Sequence, residues 1–100
     1  MDQIQAMRLF ARVVEAGTFT RAADSLQLPK GTVTKHVQAL EARLRVKLLN
    51  RTTRRVTVTA DGAAYYDRVI RLLADFDDME ASLSQARATP RGRLRVDVGT

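Results

Sequence analysis

A mainly α-helical fold, with three short helices, one two-stranded hairpin and a long final helix, is what these 100 residues predict. Three features carry that expectation. Apolar residues recur at helical spacing from the N-terminus to Leu44, interrupted at Gly17 and at Leu28-Pro29. The period then drops to two over Val56-Thr57-Val58-Thr59. From there Tyr65, Val69, Leu72, Phe76, Met79, Leu83 and Ala86 alternate by four and three, a heptad seam.

The first helix is expected from Asp2 to Ala16, with Ile4, Met7, Phe10, Ala11 and Val14 on its apolar face. Asp2 can cap it, and Gly17 ends it. Thr18 and Thr20 both offer caps for the second helix, whose inward stripe is Phe19, Ala22, Ala23 and Leu26. The alanine pair lets two helices cross closely. Leu28 is expected to plug the following turn, and Pro29 to open the third helix, where a missing N–H costs nothing.

The third helix sorts its residues by angle. At about 100° per residue, Val37, Leu40 and Leu44 fall within roughly 40° of Val33 and form a core face. Gly31, Thr34, Lys35, Gln38 and Ala42 fall between about 100° and 200°, pointing away from the core. That face is small, polar and cationic, and none of the five is acidic. A merely solvated helix face usually mixes signs or pairs Glu with Lys. Two helices joined by a tight turn over Thr20–Leu44, the second with such a face, have the layout of a helix-turn-helix that reads the DNA major groove.

Leu48-Leu49 and Val56–Thr59 bracket the basic segment Asn50-Arg51-Thr52-Thr53-Arg54-Arg55. They read as a hairpin, the wing of a winged helix. Its three arginines, with no acid expected beside them, favour phosphate or minor-groove contact. Thr59 and Asp61 start the last helix, which is expected to run to about Ala88, roughly 45 Å. Tyr66, Ile70 and Leu73 add a second apolar stripe in its first half. One stripe can cover the domain's own core, and the seam of Tyr65, Val69, Leu72, Phe76, Met79 and Leu83 is expected to form a homodimer interface. After Pro90-Arg91-Gly92, the alternating Leu94, Val96 and Val98 look like the first strand of a following domain. The expected division is therefore a winged head at 1–58, a linker helix at 59–88, and a hinge with a first strand at 89–100.

Composition narrows the function. Net charge is +6, and it is segregated: residues 1–59 hold 11 Lys/Arg against 4 Asp/Glu, whereas 60–86 hold 2 against 6. A basic first part suits a polyanion, and the long helix is too acidic for a membrane-surface role. No apolar run is long enough to span a bilayer, the N-terminus lacks a signal-peptide pattern, and the absence of Cys fits a reducing compartment. A cytoplasmic location is expected. An enzyme is the second class. His36, the only His, lies about 60° off the core face and is expected to pack at the helix flank; with no Cys and no second His, no zinc site or nucleophile–base pair of the usual kind can be assembled. Asp75, Asp77, Asp78 and Glu80 spread round their helix as a solvated face would. A non-specific architectural DNA binder is the third class.

Phe10, Val13-Val14-Glu15, Gly17-Thr18-Phe19-Thr20-Arg21-Ala22-Ala23, Leu26, Val33-Thr34, Val37, Leu40-Glu41, Leu44, Leu48-Leu49, Arg51-Thr52-Thr53-Arg54, Thr59 and Gly62 follow one another in fixed order. The chain resembles, over essentially its whole length, the N-terminal DNA-binding domain of the LysR-type transcriptional regulators. The resemblance implies a winged helix-turn-helix, a linker helix pairing in a homodimer, a tetrameric full-length protein, and an effector-binding domain beyond this chain that takes a small molecule. No cofactor is expected in these residues. Double-stranded DNA is the implied partner, and the residues expected to meet it are Thr20, Arg21, Lys30, Gly31, Thr32, Thr34, Lys35, Gln38, Arg51, Thr53, Arg54 and Arg55. The chain departs from the family pattern at three places. Lys30 and Gly31 stand where Gln and Pro are common, and Pro29 replaces a frequent capping Ser. Arg45 stands where Gly nearly always closes the third helix, so either the helix ends differently or Arg45 accepts a left-handed backbone.

Overall fold

The computed structural model describes residues 2–52 and 55–88, and side chains as far as Gln85. Thr53, Arg54 and the expected hinge and strand at 89–100 lie outside the described residues. Helix α1 (Gln3–Ala16) begins where the Asp2 carboxylate accepts the Gln5 N–H at 2.7 Å. It ends at Gly17, whose φ of 82° is the left-handed turn that glycine adopts without strain. Helix α2 (Phe19–Leu26) is capped by Thr18, the first of the two candidate threonines, which accepts the Arg21 N–H at 3.0 Å.

Helix α3 (Lys30–Leu44) starts one residue later than expected. Pro29 is its N-cap rather than its first helical residue: with ψ at 143° the proline is still extended, and it supplies no side-chain cap. Leu28 does not plug the turn. Its N–H reaches back to the Ala23 carbonyl at 3.0 Å, past a left-handed Gln27, and its side chain is left 36% exposed. The helix crossing closes without it through Phe19, Ala22 and Ala23 against Val33, Val37 and Leu40, all buried. At the far end of α3 Arg45 takes φ 58° and ψ 41°. The Val46 N–H bonds the Glu41 carbonyl and the Arg45 N–H bonds Ala42, so the helix closes as it would with glycine, with an arginine in the strained position.

Strands β1 (Leu49–Arg51) and β2 (Val56–Val58) pair antiparallel, Leu49 opposite Val58 and Arg51 opposite Val56. Helix α4 (Ala60–Ala88) starts at Thr59, whose hydroxyl accepts the Gly62 N–H and donates to the Lys47 carbonyl. Gly62 faces the Leu48 carbonyl so closely that a Cβ there would overlap it. The main core joins α1, α2, α3 and the start of the wing, with Phe10, Val13, Val33, Val37, Leu48 and Leu49 fully buried.

The first half of α4 roofs that core. Tyr65 and Tyr66 meet Phe10 edge-on at 5.2 and 6.5 Å, while Val69 and Leu73 pack on Ala11. This corrects the expected division of the two stripes. Tyr65 is half-buried and Val69 fully buried inside the chain itself. A straight helix turns 3.6 residues at a time, so Tyr66, Val69 and Leu73 fall within about 60° and face α1, whereas Leu72, Met79 and Leu83 fall within about 40° on the neighbouring side. Those three are 56%, 53% and 54% exposed, and Ile70 is 39% exposed. Phe76 is half-buried beneath the Arg8 guanidinium, 5.9 Å from its ring centre.

Candidate nucleic-acid interface

Three elements converge on one side of the head. The Val56 N–H donates to the Gly17 carbonyl at 2.9 Å and so holds β2 against the start of α2. The start of α3 closes the third wall. Between them lies a cleft of about 450 Å³ lined by Thr18, Phe19, Thr20, Arg21, Lys30, Thr34, Arg51, Thr52, Arg55 and Val56. None of these lining residues is acidic. Arg21, Lys30 and Arg55 are exposed along it. The cleft thus gathers six expected contact residues, Thr20, Arg21, Lys30, Thr34, Arg51 and Arg55, from three elements distant in sequence.

The outward face of α3 continues from this cleft. Gly31, Lys35 and Gln38 are exposed there, and Thr34 is half-buried at the junction. Gly31 has nothing within 4 Å of where a Cβ would stand. Thr32, half-buried like Thr34, lies at the edge of this face, about 60° round the helix from Lys35.

Arg51 also departs from expectation. It was expected as one of three arginines with no acid beside them, yet its guanidinium lies 3.7 Å from the Glu41 carboxylate and 4.8 Å from the Phe19 ring centre. Glu41 in turn accepts the Leu48 and Leu49 N–H groups at 2.9 and 3.1 Å. Periodicity alone does not reveal this acid. The available signal was an acidic residue about 80° from Val33, at the edge of the core stripe and close enough to the interior to need backbone donors.

Other charged groups fix α4 on α1. Arg8 binds Asp77 with both terminal nitrogens, at 2.8 and 3.4 Å, and this bond holds the Asp77 carboxyl below its usual range while raising the guanidinium. Tyr66 donates to Glu15 at 2.9 Å, which pushes its phenol upward, and burial does the same to Tyr65. His36 is half-buried beside Asp2 and Arg43, between α1 and α3. Among the described residues no three of His, Asp and Glu are grouped to hold a metal ion, and no helix is long and apolar enough to cross a membrane.

Comparison with known proteins places this geometry. Residues 4–63 match the family described as bacterial regulatory helix-turn-helix protein, lysR family. An HTH-type transcriptional repressor of Pseudomonas aeruginosa is 55% identical over 97 residues, covering 97% of this chain and 31% of the repressor. The HTH-type transcriptional activator AaeR of Escherichia coli is 41% identical over 96 residues, covering 96% of this chain and 31% of the activator. Among solved structures, the BenM DNA-binding domain in complex with catB site 1 DNA superposes with a TM-score of 0.85 at 31% identity, over 90% of this chain and all of that one. The CbnR DNA-binding domain in its DNA complex superposes with a TM-score of 0.77 at 33% identity, over 88% of this chain and all of that one. The chain spans about a third of the length of the curated relatives it matches.

Proposed function

From the premise that the chain belongs to the lysR family of bacterial regulatory helix-turn-helix proteins, we propose that it reads double-stranded DNA as a homodimer, with α3 in the major groove and the wing on backbone or minor groove. The family's members are transcriptional regulators, not enzymes. One observation carries the reading: the acid-free cleft that brings Arg21, Lys30 and Arg55 together beside the exposed Gly31, Lys35 and Gln38. Cations on several elements facing one way neutralise phosphates, and the polar groups of α3 are left free for base edges.

The dimer is supported by Leu72, Met79 and Leu83, an apolar strip of α4 that the chain's own core does not use. Two heads joined through that strip would engage two half-sites of a palindrome separated by whole helical turns. A small-molecule effector would bind outside these residues, in a full-length tetramer.

Selection of bound duplexes from a random pool tests the reading directly. An enriched inverted repeat, bound more tightly than random duplex at the same salt, is the expected result. Equal affinity for selected and random duplexes would make the chain an architectural binder instead. Failure to bind any duplex in dilute buffer, with a single copy in sedimentation, would overturn the proposal altogether.

A further inference from the structure

We propose that Arg51 is a positioning residue of the interface, a strut that sets the wing against α2 and α3, rather than a phosphate contact. The inference rests on the DNA-binding reading above and assigns one of its arginines a different task. Three observations on three elements support it. The guanidinium stacks over Phe19 of α2 at 4.8 Å from the ring centre, inside the range of cation–π attraction. It lies 3.7 Å from Glu41 of α3. Its own backbone is the last pairing residue of β1, opposite Val56. One planar cation therefore touches the first turn of α2 and the last turns of α3, and it does so from the end of β1 that leads into the wing's turn.

The charge arithmetic points the same way. The Glu41 carboxylate already answers the Arg51 cation, and it is only 16% exposed, held in place by the Leu48 and Leu49 N–H groups. A cation with a fixed anion beside it releases few additional counterions when a phosphate approaches. Arg55 presents the contrast: it lines the same cleft from the residue before β2, and although both arginines are exposed, among the described residues no carboxylate pairs with it. The geometry also needs arginine in particular, because a flat guanidinium can stack and face a carboxylate at once, whereas an ammonium is a compact, strongly hydrated point charge.

The test compares Arg51→Gln, Arg51→Lys and Arg55→Gln with the parent 100-residue chain. Binding to a random-sequence duplex and to a duplex recovered by selection is measured across a series of salt concentrations. Thermal midpoints are recorded alongside. Both Arg51 variants are expected to bind the selected duplex more weakly, by up to about tenfold, with the parental salt slope, and Arg51→Lys gives no rescue. Arg55→Gln is expected to lower the salt slope by about one and to weaken both duplexes alike. The strut is overturned if Arg51→Lys binds like the parent, if Arg51→Gln lowers the slope by about one, or if Arg51→Gln binds unchanged. Should Arg51→Gln fold poorly, Arg51→Lys decides alone: parental binding rejects the strut, and lost affinity at an unchanged slope supports it. A parent chain that binds neither duplex would overturn the DNA-binding reading and this inference together.

Discussion

The two ends of α3 are built in opposite ways. The C-terminal end is tied down at every opportunity: Glu41 takes two backbone N–H groups and faces Arg51, Arg45 accepts a left-handed backbone to close the helix, and Gly62 lets α4 press against Leu48 beside it. The N-terminal end is left nearly bare. Pro29 supplies no side-chain cap, Gly31 has open space around it, and Lys30 and Lys35 extend into solvent. Stability is thus concentrated where no ligand is expected, and the end facing the cleft is held out by the other like a cantilever. The contrast predicts that substitutions at the anchored end act on folding, and that those at the bare end act on binding.

The largest effect is expected at Glu41. Glu41→Ala removes the acceptor of the Leu48 and Leu49 N–H groups and leaves both in a partly buried setting, together with an unanswered Arg51. A loss of about 2–3 kcal/mol in urea or thermal unfolding is expected. A loss under about 0.5 kcal/mol would mean that water replaces the carboxylate freely and that this end is not anchored through it.

Gly62→Ala follows. Its new methyl would collide with backbone rather than with a flexible side chain, so α4 or the Leu48 segment must move. A cost of about 2 kcal/mol is expected, measured as above. Unchanged stability would show that the junction of α4 with the head is soft. Arg45→Gly tests the same end with the opposite sign. Relieving a left-handed arginine is expected to stabilise the fold by up to about 1 kcal/mol, less the entropy that glycine adds to the unfolded chain. Destabilisation would mean that the Arg45 side chain makes contacts worth more than the strain.

Much of this architecture was legible in the sequence because it depends on periodicity and on a few backbone specialists. Apolar spacing outlined α1 to α3, Gly17 marked the end of α1 and Thr59 the start of α4, and the angular sorting of α3 separated Val33, Val37 and Leu40 from Gly31, Lys35 and Gln38. Local rules could not show what depends on another element's position. Leu28 is apolar, yet the left-handed Gln27 carries it outward. Tyr65 and Val69 fit a heptad seam, but α1 claims them before any partner can. Arg51 reads as a free cation until β1 is folded beside the end of α3. The expected exposure of a residue matches the structure where its own helix turns it to solvent, and departs from it where long-range pairing decides the matter.

Gly31 gives the smallest stability effect and the sharpest test of the contrast. A glycine inside a helix weakens it by up to about 1 kcal/mol relative to alanine, and less in the first turn. Nothing in the fold requires one here, since its φ is not positive and no neighbour lies within 4 Å of a Cβ. Gly31→Ala is therefore expected to stabilise the chain, by about 0.5 kcal/mol. A methyl on the surface expected to approach base edges should at the same time weaken binding to a selected duplex several-fold. Stability and affinity would then move in opposite directions from one added carbon, which no variant at the anchored end should do. If Gly31→Ala raises the melting midpoint and leaves the affinity for selected and random duplexes untouched, the glycine is merely tolerated, and close backbone approach at the start of α3 must be abandoned.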